Sequence, residues 1–176
     1  MKLCNGQTQH FSEILQTKYM TSFFEIQNGI FNTLPDTKEV CFKPLEPDND
    51  FCATQSIFQW WQNDLDNFLA SYNTSDLQNC RIYENAPETI SWHDHFSVCS
   101  INPSSIDDGA SQQTCLGEYG GPGLPFVALG GADSSESGKF DYTSATALIM
   151  TLENNNVDDK SSTEYEKALL WEEGFI

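Results

Sequence analysis

The feature that most constrains the fold of this chain is a segment near its middle that is rich in glycine and proline. Residues 114–126, TCLGEYGGPGLPF, contain one cysteine, four glycines and two prolines. Glycine adopts backbone angles that are closed to other residues, whereas proline fixes φ and lacks an amide donor. The segment therefore predicts a rigid, irregular loop, and the apolar residues Phe126–Leu129 at its end predict a strand.

Hydrophobic periodicity predicts four helices. They are Phe11–Gln27, stopped by Asn28-Gly29; Ala53–Tyr72, capped by Asp50; a short helix capped by Thr89 that runs through Cys99; and a last helix opened by the capping box at residues 161–164. Polar residues predict loops at 73–87 and 100–123.

Two strands are predicted, Phe126–Leu129 and Thr143–Leu152. In the second strand, alternate residues share a face, with Ala145, Ala147 and Ile149 on one side. The Ser/Gly/Asp-rich loop between the strands predicts that they form a hairpin.

The composition predicts one folded domain in an oxidising compartment. The 176 residues are 39% hydrophobic and 12% aromatic, which is typical of a folded chain. Six cysteines and the acceptor sequon Asn73-Thr74-Ser75 indicate the secretory pathway. No apolar run approaches the about 20 residues that span a bilayer, and residues 1–5 show no signal peptide. We therefore expect a piece of a longer membrane protein.

The formal net charge is −18, from 26 acidic and 8 basic residues. Such a charge repels nucleic acid and anionic membrane surfaces. It has two interpretations, a contribution to solubility or adaptation to an acidic compartment in which some carboxylates are protonated.

No residue pattern predicts an enzyme or a metal site. His93 and His95 bracket Asp94, but positions i and i+2 of a helix face different ways, so a polar helix face near a disulfide is the favoured interpretation. Residues 48–50, DND, lack the glycine and distal glutamate of a calcium loop, and favour a solvated turn and helix cap. Residues 120–123, GGPG, lack the lysine of a phosphate loop. We expect no catalytic residues, no metal and no cofactor.

Six short motifs together resemble one family. They are VCFKPL at 40–45, FQWWQN at 58–63, WHDHF at 92–96 followed by Cys99, CLGEYGGP at 115–122, ATALI at 145–149 and WEEGFI at 171–176. Their order and spacing are similar to those of the middle luminal domain of the Niemann-Pick type C sterol transporters, relatives of the Patched receptors and RND transporters. The resemblance extends from about residue 41 to the end and is weaker before it.

The resemblance implies an α+β, ferredoxin-like fold of the RND porter type. Residues 1–176 would form a single luminal domain with a helical insertion at about 41–123. The first and last strands of the ferredoxin-like unit have no counterpart in the chain. On this interpretation the chain alone would be marginally stable or oligomeric.

The resemblance also implies two disulfides, Cys41 with Cys52 and Cys99 with Cys115. Two alternatives remain open for Cys4, which pairs either with Cys80 or with a cysteine outside this chain. Asn73 would be the glycosylation site.

The function implied by the resemblance is sterol transfer in the lumen of the late endosome, lysosome or vacuole. The domain would dock a soluble Niemann-Pick-type sterol carrier through a protruding loop and would perform no covalent chemistry. This loop comprises Ile82, Tyr83, Glu84, Asn85, Ala86 and Pro87. Tyr83 would anchor the carrier, or alternatively pack against the insertion helices. A different class of function is also compatible with the sequence, a free-standing secreted binding protein stabilised by disulfides.

Overall fold

The fold combines helices with short antiparallel strand pairs, which makes it α+β. The structure, a computed structural model, describes residues 3–4, 10–33, 37–77, 87–134, 140–152 and 163–174. The α-helices are α1 (Thr17–Thr33), α2 (Thr37–Val40), α3 (Leu65–Leu69), α4 (Trp92–Cys99), α5 (Pro125–Ala128) and α6 (Thr163–Glu173). Four 3₁₀ turns lie at Glu13–Leu15, Ile57–Trp61, Thr74–Asp76 and Tyr142–Ser144.

The strands are two residues long and pair antiparallel. They are β1 (Thr54–Gln55), β2 (Tyr72–Asn73), β3 (Thr89–Ile90), β4 (Leu129–Gly130), β5 (Asp133–Ser134), β6 (Phe140–Asp141), β7 (Ala147–Leu148) and β8 (Thr151–Leu152). β1 pairs with β8, β2 with β3, β4 with β7 and β5 with β6. None of the described helices is long and apolar enough to cross a membrane.

An aromatic core holds these elements together. Its largest fully buried side chains come from α1, the 57–61 turn, α3 and α4, and include Met20, Phe58, Trp60, Trp61, Phe68 and Phe96. Their rings meet mostly edge to face, as Trp61 does on Phe68 at 5.0 Å between ring centroids. Each such pair adds about 0.5–1.5 kcal/mol beyond the area it buries.

The first helix begins later and ends later than predicted. A 3₁₀ turn occupies residues 13–15, and α1 then continues through Asn28-Gly29 to Thr33. Gly29 is exposed. A glycine inside an exposed helix lowers stability by only about 1 kcal/mol relative to alanine, so α1 continues past it.

The predicted helix Ala53–Tyr72 is wrong, because the chain reverses in its middle. Gln62 and Asn63 both have positive φ, at 52° and 53°, and separate the 57–61 turn from α3. The Gln62 side-chain amide donates to the carbonyl oxygens of Thr114 and Leu116 at 3.0 and 2.9 Å. These bonds attach the glycine-rich loop to the core and offset the unfavourable backbone angles.

Two of the predicted helix caps differ in the structure, and the third is described only in part. Asp64, not Asp50, caps a helix here, since its carboxylate accepts hydrogen bonds from the first turn of α3. The Asp50 carboxylate pairs instead with Lys43. Thr89 lies in β3, and Ser91 takes the N-cap position of α4. Of the predicted capping box, residues 161–162 lie outside the described residues, and α6 begins at Thr163.

The antiparallel pairing of the predicted hairpin is confirmed, but its strands are much shorter. Pro125 at the first helical position turns residues 125–128 into α5, so that the strand begins at Leu129. Thr143–Leu152 is interrupted, and its two short strands pair with different partners, β7 with β4 and β8 with β1.

The glycine-rich segment is the ordered loop that its composition predicts. The amide of Gly117 donates to the carbonyl of Gly121 at 2.8 Å, and Gly120 closes the turn with a φ of 79°. The indole of Trp60 donates to the carbonyl of Gly123 at 2.8 Å, which attaches the loop to the aromatic core.

Both disulfides implied by the resemblance are present. Cys41 is bonded to Cys52 and Cys99 to Cys115, with Cα–Cα distances of 5.5 and 5.4 Å. The second joins the end of α4 to the start of the glycine-rich loop. The sequence separations are 11 residues for Cys41–Cys52 and 16 for Cys99–Cys115. In the chain-entropy model each disulfide stabilises the folded state by about 3 kcal/mol.

Candidate partner-binding site

The predicted partner-binding segment lies almost wholly outside the described residues. Ile82, Tyr83, Glu84, Asn85 and Ala86 belong to the gap at 78–86, so their role stays a prediction. Pro87 is described and is half-buried. The residues on both sides of the gap show how the segment is attached.

A short antiparallel ribbon holds the two ends of this segment together. In the ribbon, which consists of β2 and β3, Tyr72 pairs with Ile90 and Asn73 with Thr89. Thr74 extends the ribbon, because its amide donates to the carbonyl of Glu88 at 3.0 Å.

The hydroxyl of Thr74 fixes the end of the predicted segment. It donates to the carbonyl of Pro87 at 2.6 Å and also contacts the carbonyl of Glu88 at 3.1 Å. The side chain of Thr74 is buried, so these bonds are shielded from water. The ribbon and these bonds therefore fix the position of Pro87, which adjoins the undescribed residues 78–86.

A small second core lies beneath the ribbon. Cys4, Ile90 and Ala110 are buried in it, and Tyr72 and Leu77 pack against them. Cys4 is disulfide-bonded, whereas Cys80 lies outside the described residues, so the pairing of these two cysteines stays a prediction.

Asp94 of α4 joins the chain's first described residues to the main core. Its carboxylate accepts a hydrogen bond from the backbone amide of Cys4. Burial raises the pKa of Asp94 to about 6, although that hydrogen bond acts to lower it. The negative charge of Asp108 also contributes to the rise.

Asp108 organises the loop that packs beside the ribbon. Its carboxylate accepts hydrogen bonds from the amides of Ala110 and Gln112, both at 2.9 Å, and from the hydroxyl of Ser111. Burial acts to raise the pKa of Asp108, but the hydrogen bond from His95 and the one from Ser111 outweigh it and hold the pKa below its usual value.

His95 connects this loop to the aromatic core. Its Nδ1 lies 2.9 Å from Asp108 Oδ2, and its Nε2 lies 2.6 Å from the carbonyl oxygen of Trp60. His95 and Cys99 also touch, with 3.3 Å between Nε2 and Sγ. His95 is 1% exposed, so these contacts link the loop to the core from a buried position.

The interpretation of His93, Asp94 and His95 as a polar helix face is wrong, because all three are buried. They face different partners, as their spacing predicts. His95 does share a potential metal-ligand group with Cys99 and Cys115, whose ligand atoms lie within 4.8 Å of one another. The two sulfur atoms are bonded to each other, so this group cannot offer thiolates while the disulfide is intact.

Two isoleucines are exposed in the segment between Cys99 and Cys115, a feature that the sequence did not single out. Ile101 is 64% exposed and Ile106 is 78% exposed, and both lie in the segment closed by the Cys99–Cys115 disulfide. That segment contacts the ribbon, since the Gln113 side chain donates to the Tyr72 hydroxyl at 2.8 Å. The only sequence signal was two apolar residues in the polar stretch INPSSIDD at 101–108.

Comparison with known proteins gives one family. The model of the NPC1 middle luminal domain matches residues 1–176. The chain belongs to this family. It is 31% identical to a human NPC1-like intracellular cholesterol transporter 1, over 96% of this chain and 12% of that protein. It is also 31% identical to the pig NPC intracellular cholesterol transporter 1, over 89% of the chain and 11% of that protein, and 28% identical to a Drosophila homologue, over 95% and 13%.

The family match extends the resemblance to the first 40 residues. The chain spans about one eighth of the length of the relatives it matches. The NPC1 middle luminal domain is part of a transporter family and not of an enzyme family.

The predicted glycosylation site has an accessible side chain in this NPC1 middle luminal domain. Asn73 is exposed at the end of β2, and Ser75, the third residue of its sequon, is exposed as well. Attachment of a glycan at Asn73 stays a prediction. It would place the glycan on the ribbon, next to the predicted partner-binding segment.

Proposed function

We propose that the chain is a luminal module of a sterol transporter of the late endosome, lysosome or vacuole, and that it docks a soluble Niemann-Pick-type sterol carrier. Family membership supports the transport role, because relatives are named as cholesterol transporters. Hand-off of the sterol then belongs to the full-length protein. The module contributes recognition and no covalent chemistry.

The observation that carries the docking proposal is the ribbon at the base of residues 78–86. A loop held at both ends loses less conformational freedom on binding than a free one, so more of its contact energy appears as affinity. Thr74 supplies this constraint through its bonds to Pro87 and Glu88. The second core beneath the ribbon keeps β2 and β3 in place.

Ile101 and Ile106 extend the proposed docking surface. Both are apolar, exposed and carried by a segment that a disulfide and the Asp108 hydrogen bonds hold rigid. Rigid apolar groups bury area at small entropic cost, which is the property of residues that dominate binding energy. Tyr83 would be the central anchor of this surface, with the two isoleucines at its edge.

We further assign the α+β fold to the ferredoxin-like, RND porter type, as a single luminal domain with a helical insertion at about residues 41–123. The antiparallel pair β4–β7 followed by α6 supports this assignment, since a ferredoxin-like unit contains two strands followed by a helix.

Replacement of Tyr83 by alanine tests the docking proposal. We expect Tyr83→Ala to weaken equilibrium binding of the soluble carrier by about tenfold or more, because aromatic anchors at interface centres contribute about 2 kcal/mol or more. Thermal melting of the variant should match that of the parent chain.

The matched control is Tyr19→Ala, which removes a half-exposed tyrosine from α1. We expect this control to leave the dissociation constant unchanged. An unchanged dissociation constant for Tyr83→Ala would refute the docking role of the segment.

A further inference from the structure

A cavity of about 310 Å³ lies at the start of α1. It is lined by His10, Phe11, Ser12, Leu15, Gln16, Thr17 and His93. None of these residues is acidic, although the chain has 26 acidic residues. Two carboxylates adjoin lining residues along the chain, those of Glu13 and Asp94, and neither is among the described residues that line the cavity.

Two polar side chains in the cavity wall have hydrogen-bonding capacity that the described residues do not use. The Ser12 hydroxyl oxygen is buried and has no hydrogen-bond partner there. His93 is 7% exposed, and its Nδ1 lies 2.8 Å from the Ser91 hydroxyl. No described residue bonds to its Nε2. When Ser91 donates to Nδ1, the neutral ring carries its proton on Nε2 and is a donor.

Helix α1 adds backbone donors at the same place. It is 17 residues long and has no acidic residue in its first turn. No described residue accepts a hydrogen bond from the amides of Thr17 and Lys18, and Thr17 lines the cavity. The N-terminus of such a helix favours a negative charge.

Two apolar side chains, Leu15 and Phe11, form another part of the cavity wall. Leu15 is 1% exposed, and Phe11 packs edge-on against the His93 ring at 4.8 Å between centroids. The His93 ring also stacks on Trp92, with 3.7 Å between the ring centroids. These contacts fix the direction in which the imidazole presents Nε2.

We propose that this cavity binds the carboxylate group of a small organic acid, with the acid's apolar part against Phe11 and Leu15. Ser12, His93 and the start of α1 line one cavity, and its described lining residues include no acidic side chain, which matches an acceptor group that carries a charge. Among the described residues no lysine or arginine lines the cavity, so a single negative charge fits better than the double charge of a phosphate. The volume suits a medium-chain acid.

This inference does not depend on the proposed docking of a sterol carrier. The described residues that line the cavity include neither the ribbon residues nor Pro87. A failure to bind acids would leave the docking proposal standing, and a failure of docking would leave this one standing.

Isothermal titration of the whole chain with octanoate at near-neutral pH tests the inference, with octanol and inorganic phosphate as comparison ligands. We expect octanoate to bind at least tenfold more tightly than either comparison ligand. Ser12→Ala should weaken octanoate binding by about five- to tenfold, because it removes one donor to a charged group. It should leave the melting temperature unchanged or raised, because it also removes an unsatisfied buried hydroxyl.

Gln16→Glu keeps the shape of the cavity wall but adds a negative charge at the start of α1. We expect it to weaken octanoate binding at least tenfold. Ser22→Glu is the matched control, since it adds the same charge to an exposed position further along α1 and should bind octanoate like the parent. Absence of octanoate binding, equal binding of octanol, tighter binding of phosphate, or insensitivity to Gln16→Glu would overturn the inference.

Discussion

His93 and Asp94 are neighbours on α4 whose pKa values burial moves in opposite directions. Burial lowers the pKa of His93 to about 4 and raises that of Asp94 to about 6. The stability linked to His93 is present above its unfolded pKa of 6.5 and is lost as the pH falls toward 4. The stability linked to Asp94 is present below its unfolded pKa of 3.8 and is lost as the pH rises through 6.

On acidification from about pH 7 to about pH 5, the two residues therefore oppose each other. We predict that Asp94→Asn makes the melting temperature fall more on acidification than it does in the parent chain, because the compensating protonation is gone. His93→Asn should have the opposite effect, a smaller fall or a rise.

The quantity to compare is the change in melting temperature of each chain between the two pH values. Stability lost through altered packing is common to both pH values and cancels in this difference. Equal pH dependence of Asp94→Asn and the parent would show that Asp94 is ionised in both states over this range.

Trp60 and Trp61 are both fully buried, but only one satisfies its indole N–H. Trp60 Nε1 donates to the buried carbonyl of Gly123, whereas Trp61 Nε1 has no partner among the described residues. We predict that Trp60→Phe costs about 1–3 kcal/mol more in unfolding free energy than Trp61→Phe, because it leaves the Gly123 carbonyl unsatisfied. Denaturant titration of both variants gives the difference, and equal costs would contradict it.

At the scale of elements, two glycines of different environment make a matched pair. A Cβ atom at Gly29 in α1 would meet nothing within 4 Å, so Gly29→Ala should stabilise the chain by about 0.5–1 kcal/mol. A Cβ atom at Gly117 would lie 2.4 Å from Gln59 Oε1, which accepts a hydrogen bond from the Glu118 amide. Gly117→Ala should therefore destabilise by about 1–3 kcal/mol.

Chemical denaturation of both glycine variants checks the pair. An unchanged free energy of unfolding for Gly117→Ala would contradict the prediction. It would show that the stability of the glycine-rich loop does not depend on its close approach to the buried Gln59 side chain.

The sequence predicted local elements best where one periodic face packs on the core. The short helix α4 lies within its predicted range, with its end at Cys99 as expected, because its aromatic residues fit a buried helix. The helix over 53–72 failed because the chain reversal at Gln62 and Asn63 depends on bonds to residues 114 and 116, more than 50 positions away. Periodicity within a window contains no information about such partners.

The prediction of the candidate site rests only on the family resemblance and stays a prediction. The sequence alone marked residues 73–87 as a polar loop, and the pairing of β2 with β3 at its base was not foreseen. Strands of two residues are too short for an alternating pattern to emerge. The buried triplet at 93–95 was also misassigned, because Asp94 and His95 find their partners in Cys4 and Asp108, far along the chain.

At the scale of the whole molecule, the net charge links stability to pH. A net charge of −18 opposes compaction through self-repulsion, and protonation of carboxylates at acidic pH relieves it. Asp94 would be among the first carboxylates to gain a proton, since its pKa is about 6. The two disulfides and the aromatic core hold the fold against the remaining repulsion.

Hydrogen–deuterium exchange of the domain with and without the soluble sterol carrier tests the account most directly. We predict that the carrier slows amide exchange in peptides covering residues 72–90, and to a smaller extent in those covering 100–113, because these segments form the proposed docking surface. Peptides from α1 and α6 should exchange at unchanged rates. Protection confined to α1 or α6, with residues 72–90 unaffected, would contradict the account.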